Sequence, residues 1–249
     1  FLPPLLDVCR QEHVDLLFPL TDRDVPVLAA NGEAIASTGA DAVVVDVAAA
    51  EIAGDKWWTY EWFMALGVPC PRTWLPGHLD LGRASYPLFV KPRRGSASAE
   101  CFKVKNAKEL RFFLEYVTDP IVQEWLPGPE ITNDVLCDTH GEFLGTVSRQ
   151  RIEARSGEVA KGVTVYDRGI AEQCRRIAIA LRARGPITVQ GLWNGDRFGF
   201  TEINARFGGG VPLGIAAGAN LPCWLLARPA GLVGNVPPAL RHSTRADPA

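Results

Sequence analysis

A carboxylate and an amide lie two residues apart in the segment Phe198-Gly-Phe-Thr-Glu-Ile-Asn204. We expect this segment to form a β-strand, in which residues two positions apart point to the same face. Glu202 and Asn204 would then present their oxygens together, and such hard oxygens can hold Mg²⁺ against a polyphosphate. The pattern predicts one end of a nucleotide and metal site, although two solvated strand residues would show the same spacing.

Gln190 lies on the upstream segment 186–193 and can supply a third oxygen to the same site. The Asn-Gly pair that follows is a strong hairpin signal, so the two segments are expected to pair as antiparallel strands. A three-residue turn over 194–196 would place Gln190 on the face of Glu202 and Asn204. A two-residue turn would place it on the opposite face, because a shift of one residue exchanges the faces of a strand. The metal set Gln190, Glu202 and Asn204 therefore depends on the three-residue turn.

The composition argues against several classes of function. The chain has 249 residues, 47% of them hydrophobic, which suits one or two domains with a sizeable core. A formal net charge of −2 without a basic run argues against a nucleic-acid-binding surface. No apolar run approaches the ~18 residues of a membrane span, and the N-terminus has no signal-peptide pattern. We therefore expect neither nucleic acid nor membrane as a partner.

The cysteines indicate a reducing compartment. They show neither a CxxC pair nor a histidine at metal spacing, so we interpret them as reduced, mostly buried thiols of a cytoplasmic protein. The six are Cys9, Cys70, Cys101, Cys137, Cys174 and Cys223.

The order of predicted elements indicates an α/β protein. Near the N-terminus, predicted helices over 4–13 and 24–37 alternate with predicted strands over 14–20 and 42–47, as in parallel βαβ units. An aromatic-rich helix over 55–67 follows. Further strands are predicted at 86–91, 101–104, 121–125, 133–137, 143–152, 186–193 and 198–204, and further helices at 106–117, 169–184 and 224–234.

Four separate parts of the chain match one enzyme family in the right order. They are Asp55-Lys56, Phe89-Val-Lys-Pro92 with the loop 95–99, Val122-Gln-Glu-Trp-Leu126 with Gly128-Pro-Glu130, and Thr201-Glu-Ile-Asn-Ala-Arg206. On these motifs the sequence resembles the ATP-grasp enzymes. It is most similar to the branch of carbamoyl-phosphate synthase and biotin carboxylase, and to the related small carboxylate-amine ligases. Neither the P-loop pattern nor the Rossmann pattern is present.

The resemblance implies an ATP-grasp fold, in which two α+β lobes clamp ATP, preceded by a truncated small α/β domain. We expect the ATP-grasp domain over 53–238, a partial N-terminal domain over 1–52 that lacks its first strands, and a disordered tail over 239–249. Because the chain begins at Phe1 rather than Met, we expect it to be a fragment.

The resemblance also implies that ATP and Mg²⁺ (or Mn²⁺) are cofactors. Lys91 ends a predicted strand before a loop of small residues, so its ammonium can meet a phosphate while the loop closes. In the resembling enzymes the matching lysine contacts the nucleotide phosphates or the adenine, although an ordinary surface lysine at a strand end would show the same pattern. Lys56 and Ser96 would also contact the nucleotide, although the loop 95–99 has fewer glycines than the family usually has. Nucleotide contacts from these residues are therefore predicted.

The segment around Trp125 matches the adenine-binding hinge of the family. Main-chain groups of Glu124 and Leu126 would bind the adenine edge. Glu130 matches the acidic residue that accepts hydrogen bonds from the ribose hydroxyls, although it could be an ordinary charge on an edge strand.

Three cations, Arg149, Arg151 and Lys161, lie on a predicted strand and loop and could neutralise a triphosphate or an acyl phosphate. Alternating arginines also suit a solvent-exposed face. Of the three, Arg151 and Lys161 are predicted as catalytic residues, together with Arg206. In the resembling enzymes the arginine that matches Arg206 holds the carboxylate or bicarbonate substrate, which its planar fork fits bidentately.

The activity implied by the resemblance is ATP-dependent ligation of a small carboxylate, or bicarbonate, to an amine or similar nucleophile through an acyl phosphate. A site without catalytic His or Cys suits this chemistry, because phosphoryl transfer needs charge neutralisation and alignment more than a base. A homodimer is compatible with the resemblance. Two alternatives stay open: an ATP-binding sensor with little or no catalysis, and a structural or partner-binding domain without a nucleotide.

Overall fold

The N-terminal part of the chain contains a pair of short parallel strands. The computed structural model describes residues 1–80, 83–95, 99–155 and 158–227. Strand β1 (Leu16–Leu17) pairs with β2 (Asp41–Ala42), and the accompanying helices are α1 (Leu2–Gln11), α2 (Asp24–Ala30), α3 (Gly32–Ala36) and α4 (Val47–Gly54). The predicted parallel pairing is confirmed. The helix predicted over 24–37 is instead two helices that meet at Asn31.

Helix α4 begins where the sequence analysis predicted the end of a strand. The side chain of Asp46 accepts a hydrogen bond from the Ala49 N–H at 2.8 Å. This bond satisfies one of the donors that a helix start leaves unpaired, and so favours a helix from Val47 onward. The strand predicted over 42–47 is consequently restricted to Asp41 and Ala42.

Four antiparallel strands and a helix form the small lobe. The strand order is β3 (Thr73–Trp74), β6 (Pro120–Glu124), β4 (Leu88–Pro92) and β5 (Phe102–Val104), and the helix is α6 (Ala107–Tyr116). Leu88, Val90 and Val122 alternate along the strands and share a buried core with Leu110 of α6. Because side chains alternate across a strand, Phe89 and its neighbours on the other face are left to line a cleft.

A five-stranded antiparallel sheet forms the large lobe. Its order is β11 (Arg197–Asn204), β10 (Pro186–Asn194), β7 (Glu130–Cys137), β8 (Phe143–Arg155) and β9 (Glu158–Val165). Helices α5 (Lys56–Leu66) and α7 (Arg168–Ala180) contribute to the core on its apolar face, where Phe63 and Ile177 are buried together with Val189 and Ile203. The opposite face is polar and faces the same cleft as the small lobe.

The hairpin between β10 and β11 has a two-residue turn, so the three-residue turn on which the metal set depended is wrong. Asn194 pairs with Arg197, and odd-numbered residues lie opposite even-numbered ones near the turn. A β-bulge beyond this stretch leaves Thr201 without a partner across the hairpin and brings Gln190 opposite Glu202. Both residues therefore line the cleft together with Asn204.

Several other elements differ from the sequence-based predictions. Strand β9 extends through residues predicted as a loop, and helix α8 (Val211–Ala216) was not predicted. Helix α9 (Leu221–Ala227) begins earlier than the helix predicted over 224–234, and residues 228–234 and the predicted tail lie outside the described residues. All six cysteines are free thiols. No helix within the described ranges is long and apolar enough to cross a membrane.

Candidate functional site

A cleft of about 1270 Å³ lies between the small lobe and the polar face of the large sheet. Residues 20–23 of the N-terminal part line one end of it. Ser96 lies outside the described residues, and Lys161 does not line the cleft. The other ten predicted site residues do line it: Lys56, Lys91, Glu124, Leu126, Glu130, Arg151, Gln190, Glu202, Asn204 and Arg206.

The predicted metal ligands lie next to one another on β10 and β11. Asn204 Nδ2 donates to Gln190 Oε1 at 3.3 Å, and Gln190 lies opposite Glu202 in the strand register. One carboxylate and two amides offer the oxygen donors that Mg²⁺ accepts. No group of three or more His, Cys, Asp and Glu residues that could hold a metal occurs in the described part of the chain. A cation here would therefore be bound by amide and phosphate oxygens as well as by Glu202.

Two lysines place positive charge beside these ligands. Lys56 Nζ donates to the Gly95 carbonyl oxygen at 2.7 Å and lies 3.9 Å from Glu202 Oε2. Lys91 is only 5% exposed. Burial lowers the pKa of Lys91 from its ordinary value, and the charge of Lys56 adds to this effect, while the carboxylate of Glu202 opposes it. An anionic ligand between the two lysines would stabilise their charged forms.

Asp55 fixes the position of Lys56. Its buried carboxylate accepts hydrogen bonds from the Trp57 N–H at 2.9 Å and from Arg93 Nη2 at 2.6 Å. The Lys56 N–H donates to the Arg93 carbonyl oxygen at 2.9 Å, so helix α5 is joined to the end of β4 by side chain and main chain. Burial alone would raise the pKa of Asp55, but the Arg93 and backbone hydrogen bonds hold it below its ordinary value.

An apolar wall lines the cleft where the adenine was predicted to bind. The rings of Phe89 and Trp125 lie 5.6 Å apart, and Lys103 Nζ lies 4.3 Å from the centre of the Trp125 ring. Leu126 is buried, and the Glu124 N–H donates to the Arg72 carbonyl oxygen at 2.8 Å. The main-chain segment is thus held in place beside two aromatic rings, whose apolar faces suit a planar base.

Glu130 and Arg151 form an ion pair on the polar face of the large sheet. Arg151 Nη1 lies 2.8 Å and 3.0 Å from the two oxygens of Glu130, and Gln190 Nε2 donates to Glu130 Oε1 at 2.8 Å. These bonds place Glu130 beside the predicted metal ligands. Arg151 is turned into the cleft rather than toward solvent.

The structure does not support Lys161 as a site residue. Its side chain is 69% exposed and lies 2.8 Å from Glu153 Oε2, and it belongs to strand β9 at the edge of the sheet. Strand β9 is the strand farthest from the predicted metal ligands on β10 and β11, which is why a lysine on it does not reach them.

Arg206 is held by a residue from the N-terminal part of the chain. Its Nη2 donates to Asp22 Oδ2 at 2.7 Å and its Nη1 to the Phe207 carbonyl oxygen at 2.9 Å. Sequence analysis did not identify Asp22 as a site residue. Its position shortly after strand β1 was a usable signal, because ligands of parallel α/β units bind beyond the carboxyl ends of the strands.

Arg149, considered from sequence as a cation of the cleft or of a solvent face, is only 1% exposed. It makes a two-pronged ion pair with Asp134, with Nε to Oδ2 at 2.5 Å and Nη2 to Oδ1 at 2.8 Å. Both arginines of the alternating pair therefore point inward, and the solvent-face interpretation is wrong for Arg149.

Comparison with known proteins gives a family match. A family model described as the ATP-grasp domain matches residues 53–210, more than half of the chain. The D-alanine–D-alanine ligase of Stutzerimonas stutzeri is 35% identical over 107 residues, 39% of this chain and 33% of that protein. The vancomycin/teicoplanin A-type resistance protein VanA of Enterococcus faecium is 28% identical over 193 residues, 67% of this chain and 56% of that protein. The chain spans between a third and just over half of these relatives.

A solved structure shows a similar fold. The biotin carboxylase domain of 2-oxoglutarate carboxylase from Hydrogenobacter thermophilus, in complex with MgADP, ADP and bicarbonate, superposes with a TM-score of 0.73. The match covers 92% of this chain and 56% of that chain at 16% sequence identity. At this identity the similarity concerns the fold alone.

Proposed function

Since the chain belongs to the ATP-grasp domain family, we propose that it is an ATP-dependent ligase that joins a carboxylate to an amine. The family and fold predicted from the sequence motifs are confirmed by this membership. One observation carries the proposed activity: two lysines, an acidic residue with its amide neighbour, and an arginine meet in a single cleft. They are Lys56, Lys91, Glu202, Asn204 and Arg206.

The nucleotide of the proposed reaction is ATP with Mg²⁺ or Mn²⁺. Lys56 and Lys91 would neutralise its phosphates, and Glu202, Asn204 and Gln190 would hold the metal ion. The ion would neutralise phosphate charge. The donor set fits this role because it consists of hard oxygens beside two cations, and the complex of the Hydrogenobacter thermophilus domain with MgADP supports the same ligand.

The base and the ribose would lie toward the small lobe. The adenine would stack near Trp125, beside the main chain of Glu124 and Leu126. Glu130 would accept hydrogen bonds from the ribose, with Arg151 and Gln190 fixing its carboxylate. These contacts follow the family resemblance and are part of our proposal.

In the proposed reaction, an oxygen of the carboxylate attacks the γ-phosphorus of ATP and ADP leaves. The amine then attacks the acyl carbon, phosphate leaves, and the amine loses a proton. Arg206 would orient the carboxylate, which must replace Asp22 on the guanidinium. The buried ammonium of Lys91 would stabilise charge at the transferred phosphoryl group, where exclusion of water strengthens the interaction.

The D-alanine–D-alanine ligase relatives support a carboxylate and an amine as substrates. Carbamoyl-phosphate-synthase-like chemistry, with bicarbonate as the carboxylate, is a narrower form of this proposal. We also propose that residues 1–52 form a partial N-terminal domain and that residues 53–238 form the ATP-grasp domain. The substrates would be small molecules.

ADP release tests the proposed function. With Mg-ATP, pools of carboxylates, bicarbonate among them, are tested singly and with pools of amines. We expect ADP release that requires a carboxylate, and the Glu202→Gln variant serves as the inactive comparison. Binding of Mg-ATP without any substrate-dependent release of ADP would contradict ligation and favour an ATP-binding sensor. Absence of nucleotide binding would favour a structural or partner-binding role.

A further inference from the structure

One outer nitrogen of Arg149, Nη1, makes no hydrogen bond to the described residues of the site. Its side chain is 2% exposed, and Nη1 is buried without a hydrogen-bond partner among the described residues. The other two nitrogens are occupied by Asp134. A buried donor that lacks an acceptor costs stability, so an unpaired guanidinium nitrogen at the wall of a cleft requires an explanation.

A glycine segment covers this nitrogen. A Cβ atom at Gly210 would lie 1.8 Å from Arg149 Nη1, and a Cβ atom at Gly208 would lie 2.9 Å from Asp134 Oδ1. Only glycine fits at either position without displacing the ion pair. A Cβ atom at Gly209 would meet nothing within 4 Å, so the middle of the segment borders open space. The segment 208–210 is thus a thin cover between Arg149 and the cleft that it lines.

Arg149 lies on the same sheet face as the predicted metal ligands but apart from them. It is opposite Thr132 on β7, and Thr132 is opposite Gln190 on β10. Two strand spacings separate Arg149 from Gln190, which is about 10 Å. A chain of contacts joins Arg149 to Arg206. Arg149 pairs with Asp134, Asp134 lies opposite Thr188 in the strand register, and Thr188 Oγ1 donates to the Arg206 carbonyl oxygen at 2.9 Å.

We propose that Arg149 Nη1, uncovered by a shift of the segment 208–210, binds a carboxylate of the amine substrate that does not take part in the reaction. This proposal rests on the proposed ligase function. Arg149 would be a specificity-determining residue that selects amines carrying a carboxylate. The Asp134 pair would hold the guanidinium rigid, with the two N–H groups of Nη1 directed at one or both carboxylate oxygens.

The first test uses the unaltered protein and a binding readout. In the presence of Mg-ADP, thermal stabilisation is measured with a set of L- and D-amino acids and with the matching amino-acid amides. Each pair has the same amine and differs in whether a carboxylate is present. We expect at least one amino acid to bind about tenfold to a hundredfold more tightly than its amide, the effect of a charged hydrogen bond. Equal stabilisation within every pair, or none by any amino acid, would overturn the proposal.

The second test uses Arg149→Lys, which keeps the charge but removes the forked nitrogens. The matched control is Arg184→Lys, because Arg184 also pairs with an aspartate: its Nη2 donates to both oxygens of Asp41, outside the cleft. We expect Arg149→Lys to lose the preference for the amino acid over its amide while Mg-ATP still stabilises it, and Arg184→Lys to keep both responses. Retention of the preference in Arg149→Lys would contradict the assignment.

A third variant covers the case in which Arg149→Lys does not fold. Gly210→Ala leaves every charge in place but puts a methyl group where Nη1 lies. Gly210→Ala should also lose the preference for the amino acid over its amide. The ligase function is tested separately by ADP release, so an amino-acid preference in binding without ADP release would refute the ligase and leave the carboxylate site standing.

Discussion

Gln190 and Glu202 lie opposite each other across β10 and β11, although the turn between these strands pairs residues of opposite parity. The bulge at Thr201 resolves this difference. It lets Phe200 point into the buried core while Glu202, two residues later, points into the cleft. Without the bulge, alternation along the strand would turn both side chains to one face. The metal ligands therefore depend on a local irregularity of the sheet.

We predict that Glu202→Gln removes the Mg²⁺-dependent part of the stabilisation by ATP. The variant keeps the shape of the side chain but loses the single carboxylate of the ligand set, and a carboxylate is the strongest Mg²⁺ donor among the three. Thermal unfolding with ATP is measured with Mg²⁺ and with a chelator.

The control for this variant is Glu172→Gln, an exposed carboxylate on α7 that pairs with Arg175. It should retain the full difference between Mg²⁺ and chelator. If Glu202→Gln retained that difference as well, the metal ion would have to bind elsewhere.

We predict that Lys91→Met does not lower the melting temperature of the unliganded protein but abolishes its stabilisation by Mg-ATP. Burial lowers the pKa of Lys91, which means that the folded protein disfavours the charge at this position. Methionine has a similar length and no charge to desolvate. Differential scanning fluorimetry with and without Mg-ATP measures both effects. Lys108→Met, an exposed lysine on α6, is the control and should respond like the unaltered protein.

A clear loss of stability in unliganded Lys91→Met would mean that the ammonium contributes to folding through Glu202. Full Mg-ATP stabilisation of the variant would mean that Lys91 does not contact the phosphates.

We predict that Asp55→Asn lowers the free energy of unfolding at pH 7 by about 1.5–3 kcal/mol. The reason is that the variant loses the charged hydrogen bonds that Arg93 donates to the Asp55 carboxylate. Asparagine can still cap helix α5, so the loss reports mainly the arginine pair. The folded pKa of Asp55 lies below its ordinary value of 3.8. The stabilisation is therefore present above about pH 4 and disappears as the pH falls through the folded pKa.

Urea unfolding of both proteins at pH 7 and near pH 3 measures this change. The two curves should lie closer together at the lower pH. Asp46→Asn, at the start of α4, alters a second N-cap aspartate outside the cleft and should show a much smaller effect at pH 7. A difference that grows toward low pH would contradict the arginine pairing of Asp55.

Local motifs allowed much of the site to be predicted from the sequence. Glu202, Asn204 and Lys91 each lie in a short segment whose strand character and neighbours are visible in the sequence, and all three line the cleft. The fold follows from the same motifs. The sequence left two turn lengths open for the hairpin. The bulge at Thr201, which brings Gln190 opposite Glu202 in spite of the two-residue turn, is not visible in the turn residues.

Long-range contacts were beyond sequence analysis. Asp22 and Arg206 are joined by a hydrogen bond between residues 184 positions apart. The position of Asp22 after strand β1 could indicate a site residue, but no local pattern indicates Arg206 as its partner. Arg149 was considered but not assigned, because its burial depends on how β7, β8 and the segment 208–210 meet. Lys161 was placed on a predicted loop, but its segment forms an edge strand, and its ammonium pairs with Glu153.

The last prediction concerns the acyl phosphate. Hydroxylamine attacks an acyl phosphate at the carbonyl carbon and yields a hydroxamate and phosphate, so it should trap the intermediate when ATP and a suitable carboxylate are present without the natural amine. Arg206→Ala should lose this signal because the carboxylate is no longer oriented. A charge-assisted bidentate contact corresponds to about tenfold to a hundredfold in apparent carboxylate affinity. Stabilisation by Mg-ATP should survive, because Lys56 and Lys91 hold the phosphates.

Asp22→Asn is the matched comparison for Arg206→Ala. In the structure Arg206 Nη2 donates to Asp22 Oδ2 at 2.7 Å, so the carboxylate of Asp22 lies where the substrate carboxylate is proposed to bind. Removing this internal competitor while keeping its shape should preserve hydroxamate formation and require no more carboxylate for half-maximal signal. Comparing hydroxamate formation in the two variants thus distinguishes the effect of losing the Arg206 guanidinium from the effect of losing its partner Asp22. Unchanged trapping in Arg206→Ala would remove Arg206 from the substrate site, and loss of trapping in Asp22→Asn would show that Asp22 positions Arg206 rather than competing for it.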